Sequence, residues 1–273
     1  MEAFKYCLNT STIQPASLPD KIRAAGEAGY DAIELWHADV DAYVAEGHTV
    51  ADVRHMLDDR GLTVPSMIFI KGWFDMTAET RPAVLAEARR RLEQAAELGS
   101  KICVSGPLLG PVDLLQGANN FRALLELGRE IGVRPSLEFL GFAEMFNSVE
   151  IALQLLANIN EPDASVVVDP FHLFRGGAEM SSVAACGIAG VEIGILHFND
   201  TPAEPPREQQ HDLNRVMPGD GHLDLATYLQ QARLAGYQGP LSLELFNREY
   251  WQRDPLDVAR EGLEKMKAVV ERA

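Results

Sequence analysis

Four potential metal ligands stand one each at the ends of four successive apolar runs: Glu138 in PSLEF, Asp169 in SVVVD, His197 in GILHF and Glu244 in LSLEL. A carboxylate or imidazole at the end of a buried strand is costly unless something pairs with it. Any one of these residues alone reads as the cap of a following helix or as a hydrogen-bonded core group. Four in succession are much harder to explain as four caps, and together they could surround one cation. One imidazole and three carboxylates suit a borderline or hard divalent ion such as Mn²⁺, Zn²⁺, Co²⁺ or Mg²⁺.

Further candidates surround this set. His172 follows Asp169 in VDPFH and could reach a substrate from the rim without ligating the metal. Arg215, in NRVMPGDG, could fold over the mouth and grip a substrate oxygen or carboxylate; its bland alternative is a surface ion pair. Asn9, Glu34 and His37 also lie at strand ends and could touch substrate or support the ligands. Trp36, Phe69, Trp73 and Phe74 cluster after the second and third strand candidates. Such aromatics suit the apolar face of a sugar or cyclitol ring, with Trp36 and Trp73 as contact residues, although simple packing explains them equally well.

The elements that must position these groups are short apolar strands alternating with amphipathic helices. The strand candidates are 4–9, 32–36, 63–70, 101–106, 134–139, 165–169, 192–198 and 240–246. They are mostly continuous apolar runs, as expected of strands covered on both faces. Ser17 and Gly29 bracket one helix, Glu79 to Leu98 forms another ending at Gly99, and Asn147 or Ser148 starts a third. A fourth runs from Leu223 to Ala235, and Asp254-Pro255 opens the last. Eight such units predict an α/β fold, a (β/α)8 TIM barrel forming a single domain over residues 1–273. An open doubly wound sheet is the alternative, but no GxGxxG follows the first strand. The long polar, proline-rich stretch 199–221 reads as a functional loop. In a barrel, reactive groups gather at the C-terminal strand ends, where strands five to eight supply Glu138, Asp169, His197 and Glu244.

Bulk properties narrow the classes. A net charge of -16 repels a phosphate backbone, which argues against nucleic-acid binding and against a DNA-repair nuclease. Cys7, Cys103 and Cys186 are widely spaced with no CxxC, consistent with buried thiols in a reducing cytoplasm. MEAFKYCLNT shows no basic leader followed by an apolar stretch, and no apolar run is long enough to span a membrane.

At these residues the chain resembles the sugar isomerase/epimerase superfamily of xylose-isomerase-like barrels. The resemblance runs through CLNTSTI, GYDAIELW, LEFLGF, VVVDPFHLF, LHFNDTP, NRVMPGDGHLDL and LSLELFNREYW. Within it the greatest likeness is to the 2-keto-myo-inositol (inosose) isomerases. The resemblance implies one divalent metal held by Glu138, Asp169, His197 and Glu244, with His172 and Arg215 matching the family's rim histidine and loop arginine. VDPFH and RVMPGDG mark the superfamily but no single substrate, while IFIKGWF and PAEPPREQQ match no assignable pattern.

The chemistry expected is intramolecular proton transfer on a keto-sugar or keto-cyclitol. The metal would hold the carbonyl oxygen and its neighbouring hydroxyl, and the enediolate would form between Glu138 and Glu244 acting as a proton-transfer pair. His172 would hold or shuttle a proton at a substrate hydroxyl. The same ligands would serve a lyase: an inosose or 3-dehydroshikimate dehydratase, or an eliminase of 3-keto-glycosides. A non-catalytic sugar-binding subunit is a further alternative. The expected partner is a small sugar or cyclitol, with a homo-oligomer possible.

Overall fold

The computed structural model describes residues 4–273 as one closed barrel of eight parallel strands in sequential order. The chain runs β1 (Tyr6–Asn9), α1 (Leu18–Ala28), β2 (Ala32–Trp36), α2 (His37–Ala45), α3 (Val50–Asp58), β3 (Ser66–Ile70) and α4 (Arg81–Glu97). It continues through β4 (Ile102–Ser105), α5 (Leu114–Ile131), β5 (Arg134–Glu138), α6 (Val149–Ile159), β6 (Ser165–Val168) and α7 (Pro170–Gly176). The last elements are α8 (Ala184–Ala189), β7 (Glu192–His197), α9 (Leu225–Leu234), β8 (Leu241–Leu243) and α10 (Pro255–Val270). β1 closes the sheet by pairing with both β2 and β8, so the open-sheet alternative is ruled out.

Several helix ends have a local cause. The Ser17 side chain accepts from Asp20 N at the start of α1, and Gly29 ends that helix at φ 91°, where only glycine avoids a Cβ penalty. Ser148 caps α6 and Asp254 caps α10, each before a run with one apolar stripe. Those stripes pack on the outward strand faces and form the main core. Inside the barrel, Ile68, Val104, Val167 and Ile195 make a separate small apolar plug. The three cysteines are buried free thiols. Among the described residues no helix is long and apolar enough to cross a membrane.

Residues 37–58 hold two helices, because Thr49 and Asp52 form a reciprocal capping box that starts α3. A short helix, α7, begins immediately after β6 with Asp169 as its cap. The stretch 199–221 is a loop as expected, pinned by an antiparallel bridge between Asp200 and Val216. Asp200 holds that loop by accepting from the backbone N–H groups of Thr201, Leu223 and Gly219 at 2.8, 3.0 and 3.1 Å.

Candidate metal centre

Glu138 ends β5, His197 ends β7, and Asp169 and Glu244 follow the last residues of β6 and β8. Their side chains converge at the C-terminal mouth of the barrel. His197 Nδ1 lies 3.0 Å from Glu244 Oε2, 3.3 Å from Asp169 Oδ2 and 3.5 Å from Glu138 Oε1. One ligand atom each from Glu138, His197 and Glu244 fits within 4.8 Å of the others.

This convergence fits a cation better than a hydrogen-bond network. A ring nitrogen has one proton or one lone pair, so it can satisfy one partner, not three. Both His197 nitrogens are buried and neither makes a well-aligned hydrogen bond. Donor atoms about 2.0–2.2 Å from a divalent ion necessarily lie about 3 Å from one another. The spacings around Nδ1 have that size.

Two of the candidate ligands, Asp169 and Glu244, are held by specific neighbours. Asp169 divides its two oxygens: Oδ1 accepts from Phe171 N at 2.7 Å to cap α7, while Oδ2 faces His197. Asn199 donates to both Asp169 oxygens, at 3.1 and 3.0 Å. Glu244 Oε1 accepts from Asn9 Nδ2 at 3.1 Å. Arg215 reaches in from the long loop, and its Nη1 donates to Asp169 Oδ2 at 2.7 Å and to Glu244 Oε2 at 2.8 Å. Its Nη2 donates to Asp212 at 2.6 Å and to His172 Nε2 at 3.1 Å. The guanidinium also stacks 4.8 Å from Phe171 and 5.4 Å from Phe246. Glu138 accepts no hydrogen bond from the described residues and, at 9 % exposure, is the most open of the four, against 4 % for Glu244, 1 % for Asp169 and none for His197.

Burial and charge pull these groups in different directions. Burial pushes the Glu138 carboxyl up to about 7, with the neighbouring Glu244 and Asp169 adding to the rise against His197. Burial opposes ionisation of Asp169 too, but there Arg215 and His197 win and hold its carboxyl well below the usual range. Burial alone would lower His197; Glu244 and Glu34 overcome it and raise the imidazole well above its ordinary value. His172 is lowered to about 4, by burial first and by Arg215 second. His172 is therefore neutral near pH 7, and Arg215 requires its Nε2 to act as the acceptor. A Cβ on Gly141 would collide with the backbone carbonyl of His172, so this close approach requires glycine.

Other expected contact residues fall in three places. Trp36 stands half-buried at the mouth, edge-on to Phe69 and Phe246 at 5.8 and 5.9 Å, and donates to Asn9 Oδ1 at 3.0 Å. Asn9 and Glu34 are wholly buried, and Asn9 Nδ2 bridges Glu34 and Glu244, the supporting role that their strand-end positions also allowed. His37 and Trp73 do not join the cluster. His37 faces outward, with Nδ1 2.6 Å from Gln94 and Nε2 3.3 Å from Cys103, and burial lowers it to about 4. Trp73 donates to the Gly106 carbonyl at 2.8 Å and packs on Phe74 and Phe121 in the main core. Asn199, Asp212 and Phe246 were not singled out from the sequence. Asn199 was detectable as the residue two beyond His197, which period-two alternation returns to the same face.

A parallel barrel with a cluster of charged side chains at the C-terminal strand ends is the architecture of barrel enzymes that act on small molecules. The family model for the xylose isomerase-like TIM barrel matches residues 22–269, and the chain belongs to that family. An inosose isomerase from Halalkalibacterium halodurans is 26% identical over 259 residues, covering 91% of this chain and 90% of the relative. A 3-dehydroshikimate dehydratase from Pseudomonas aeruginosa is 29% identical over 238 residues, 85% of this chain but only 36% of the relative. The crystal structure of a zinc-binding IolI protein shares the fold at a TM-score of 0.89 and 22% identity, covering 98% of both chains. The curated relatives thus include isomerases and dehydratases.

Proposed function

We propose that this protein is a divalent-metal-dependent isomerase or epimerase of a keto-sugar or keto-cyclitol. The observation that carries the reading is the approach of three carboxylates, from Glu138, Asp169 and Glu244, to one nitrogen of His197 at 3.0–3.5 Å. Likeness to an inosose isomerase across 90% of that relative's length supports the substrate class. When bound by these four residues, a divalent ion supplies Lewis acidity to a substrate carbonyl oxygen.

The protein's own groups do the remaining work. Glu138 is the carboxylate a substrate reaches most readily, which suits it to the first proton transfer. It removes the proton from the carbon beside the ketone, and Glu244 is its counterpart for return at the neighbouring carbon or on the opposite face. Arg215 orients the substrate from above, with its aim fixed by Asp212 at 2.6 Å. His172 accepts from Arg215 and completes the rim. Trp36, Phe69 and Phe246 give the mouth an apolar side that suits a ring's C–H face and excludes water.

The test is proton exchange in D₂O across a panel of keto-cyclitols and ketohexoses, with Zn²⁺, Mn²⁺, Co²⁺ or Mg²⁺ supplied. Deuterium should enter at a carbon beside the carbonyl, with product of unchanged mass apart from the label. Loss of water with a new conjugated-enone absorbance would instead assign the dehydratase chemistry of the 29%-identical relative. No exchange with any panel member and any metal would reject the proton-transfer reading.

A further inference from the structure

The most deeply buried acid at the centre has no part in the proton transfer just described. Glu34, on β2, is fully buried, yet its carboxylate is surrounded by donors: Asn9 Nδ2 at 2.7 Å, Ser242 Oγ at 2.6 Å and Ser66 Oγ at 2.5 Å. Ser66 lies on β3, the immediate neighbour of β2, whereas Ser242 lies on β8, which does not adjoin β2, so the Ser242 bond to Glu34 crosses the barrel interior. Glu34 therefore forms the floor beneath the ligands. Its Oε2 lies 3.3 Å from His197 Nε2, on the opposite side of the ring from the three carboxylates that approach Nδ1.

We infer that Glu34 is the positioning residue of the metal centre: it keeps the hydrogen of His197 on Nε2 and so turns the Nδ1 lone pair toward the cation. This inference rests on the proposed metal site and adds to it the residue that sets its ligand atom. A neutral imidazole has one N–H and one lone pair, and which nitrogen carries which is decided by the partner on the other side. Asn9, Ser242 and Ser66 supply three hydrogens to the Glu34 carboxylate, so it faces His197 only as an acceptor. A carboxylate oxygen 3.3 Å from Nε2 favours the proton on that nitrogen. Asn9 links the two levels, because the same Nδ2 donates to Glu34 on the floor and to Glu244 among the ligands. A carboxylate behind a ligating histidine fixes the ring's orientation and raises its basicity, and losing such a partner typically costs about 10–100-fold in metal affinity.

Zinc binding by the wild type and by Glu34→Gln, measured by competition with a chromogenic chelator, tests this, together with long-range ¹H–¹⁵N histidine spectra of the zinc-loaded wild type. The expected results are about 10–100-fold weaker zinc binding by E34Q, with a folded circular dichroism spectrum, and a wild-type His197 that carries hydrogen on Nε2 and metal on Nδ1. E34Q folding normally and binding zinc within about twofold of wild type would overturn the role of Glu34 while leaving the metal site standing. If E34Q fails to fold, the wild-type spectrum decides alone: metal on Nε2, or hydrogen absent from it, overturns the inference. A wild type that binds no zinc overturns the inference and the metal-dependent reading together.

Discussion

Arg215 Nη1 and Asp169 Oδ2 are 2.7 Å apart, both side chains about 1 % exposed, and the same oxygen lies 3.3 Å from His197 Nδ1. One carboxylate oxygen thus answers to the loop arginine and to His197. The pair ties the long loop to the cluster at the strand ends, so loop position and the geometry around His197 are coupled.

Removing the guanidinium therefore strands two buried carboxylates. In metal-free protein, Arg215→Gln should lower unfolding stability by about 3–5 kcal/mol, the usual cost of breaking a buried pair from one side. Saturating zinc supplies positive charge to the same oxygens and should shrink that loss. Denaturant unfolding of both proteins with and without zinc measures the coupling. Equal losses in the two conditions would show that Arg215 and the cation do not share partners.

Glu138→Gln and Glu244→Gln each keep size and remove the base. Each should lower kcat by about 10²–10⁴-fold while the circular dichroism spectrum stays native. Retention of more than about a tenth of wild-type turnover by either variant would remove that residue from the proton-transfer pair.

Metal binding should depend steeply on pH. Burial raises the Glu138 carboxyl to about 7, so below that value the group holds a proton that a cation must displace. Lower pH thus means weaker binding, with zinc affinity at pH 6 at least about tenfold below that at pH 8. Calorimetry in buffers of different ionisation enthalpy should also show proton release on binding. Affinity that is flat over this range would mean that Glu138 does not ligate.

Trp36 offers an apolar edge, packed edge-on against Phe69 and Phe246. Trp36→Ala should raise KM for a ring substrate by about tenfold, with a smaller change in kcat, as expected when binding is lost equally from ground and transition states. Steady-state kinetics on the substrate found by the exchange panel checks this. A fall confined to kcat would instead mean that Trp36 acts through Asn9, to which it donates at 3.0 Å.

Much of the centre was legible because strand ends were. Continuous apolar runs marked β5 to β8, and the carboxylates closing three of them lie 3.0–3.5 Å from Nδ1 of His197, which closes the fourth. Depth was not legible. Glu34 looked like a rim residue, yet it lies two positions before the end of β2 and therefore one inward-facing layer below Trp36. His37 was misplaced where alternation could have corrected it: with Glu34 and Trp36 facing in, the next residue turns outward. Trp73 could not be read at all, since its burial depends on the Gly106 carbonyl and on Phe121 of α5, both distant in the chain. The role of Asn9 was equally hidden, because its partners lie 25 and 235 residues away.

Metal stoichiometry of the purified chain after zinc loading and desalting is the most direct test, run on wild type beside His197→Ala and Asp169→Ala. About one zinc per wild-type chain and almost none in either variant is the expected result, since the site needs all its ligands together. A wild type without tightly held metal, or an H197A protein that keeps its full complement, would contradict a cation gathered at His197 Nδ1.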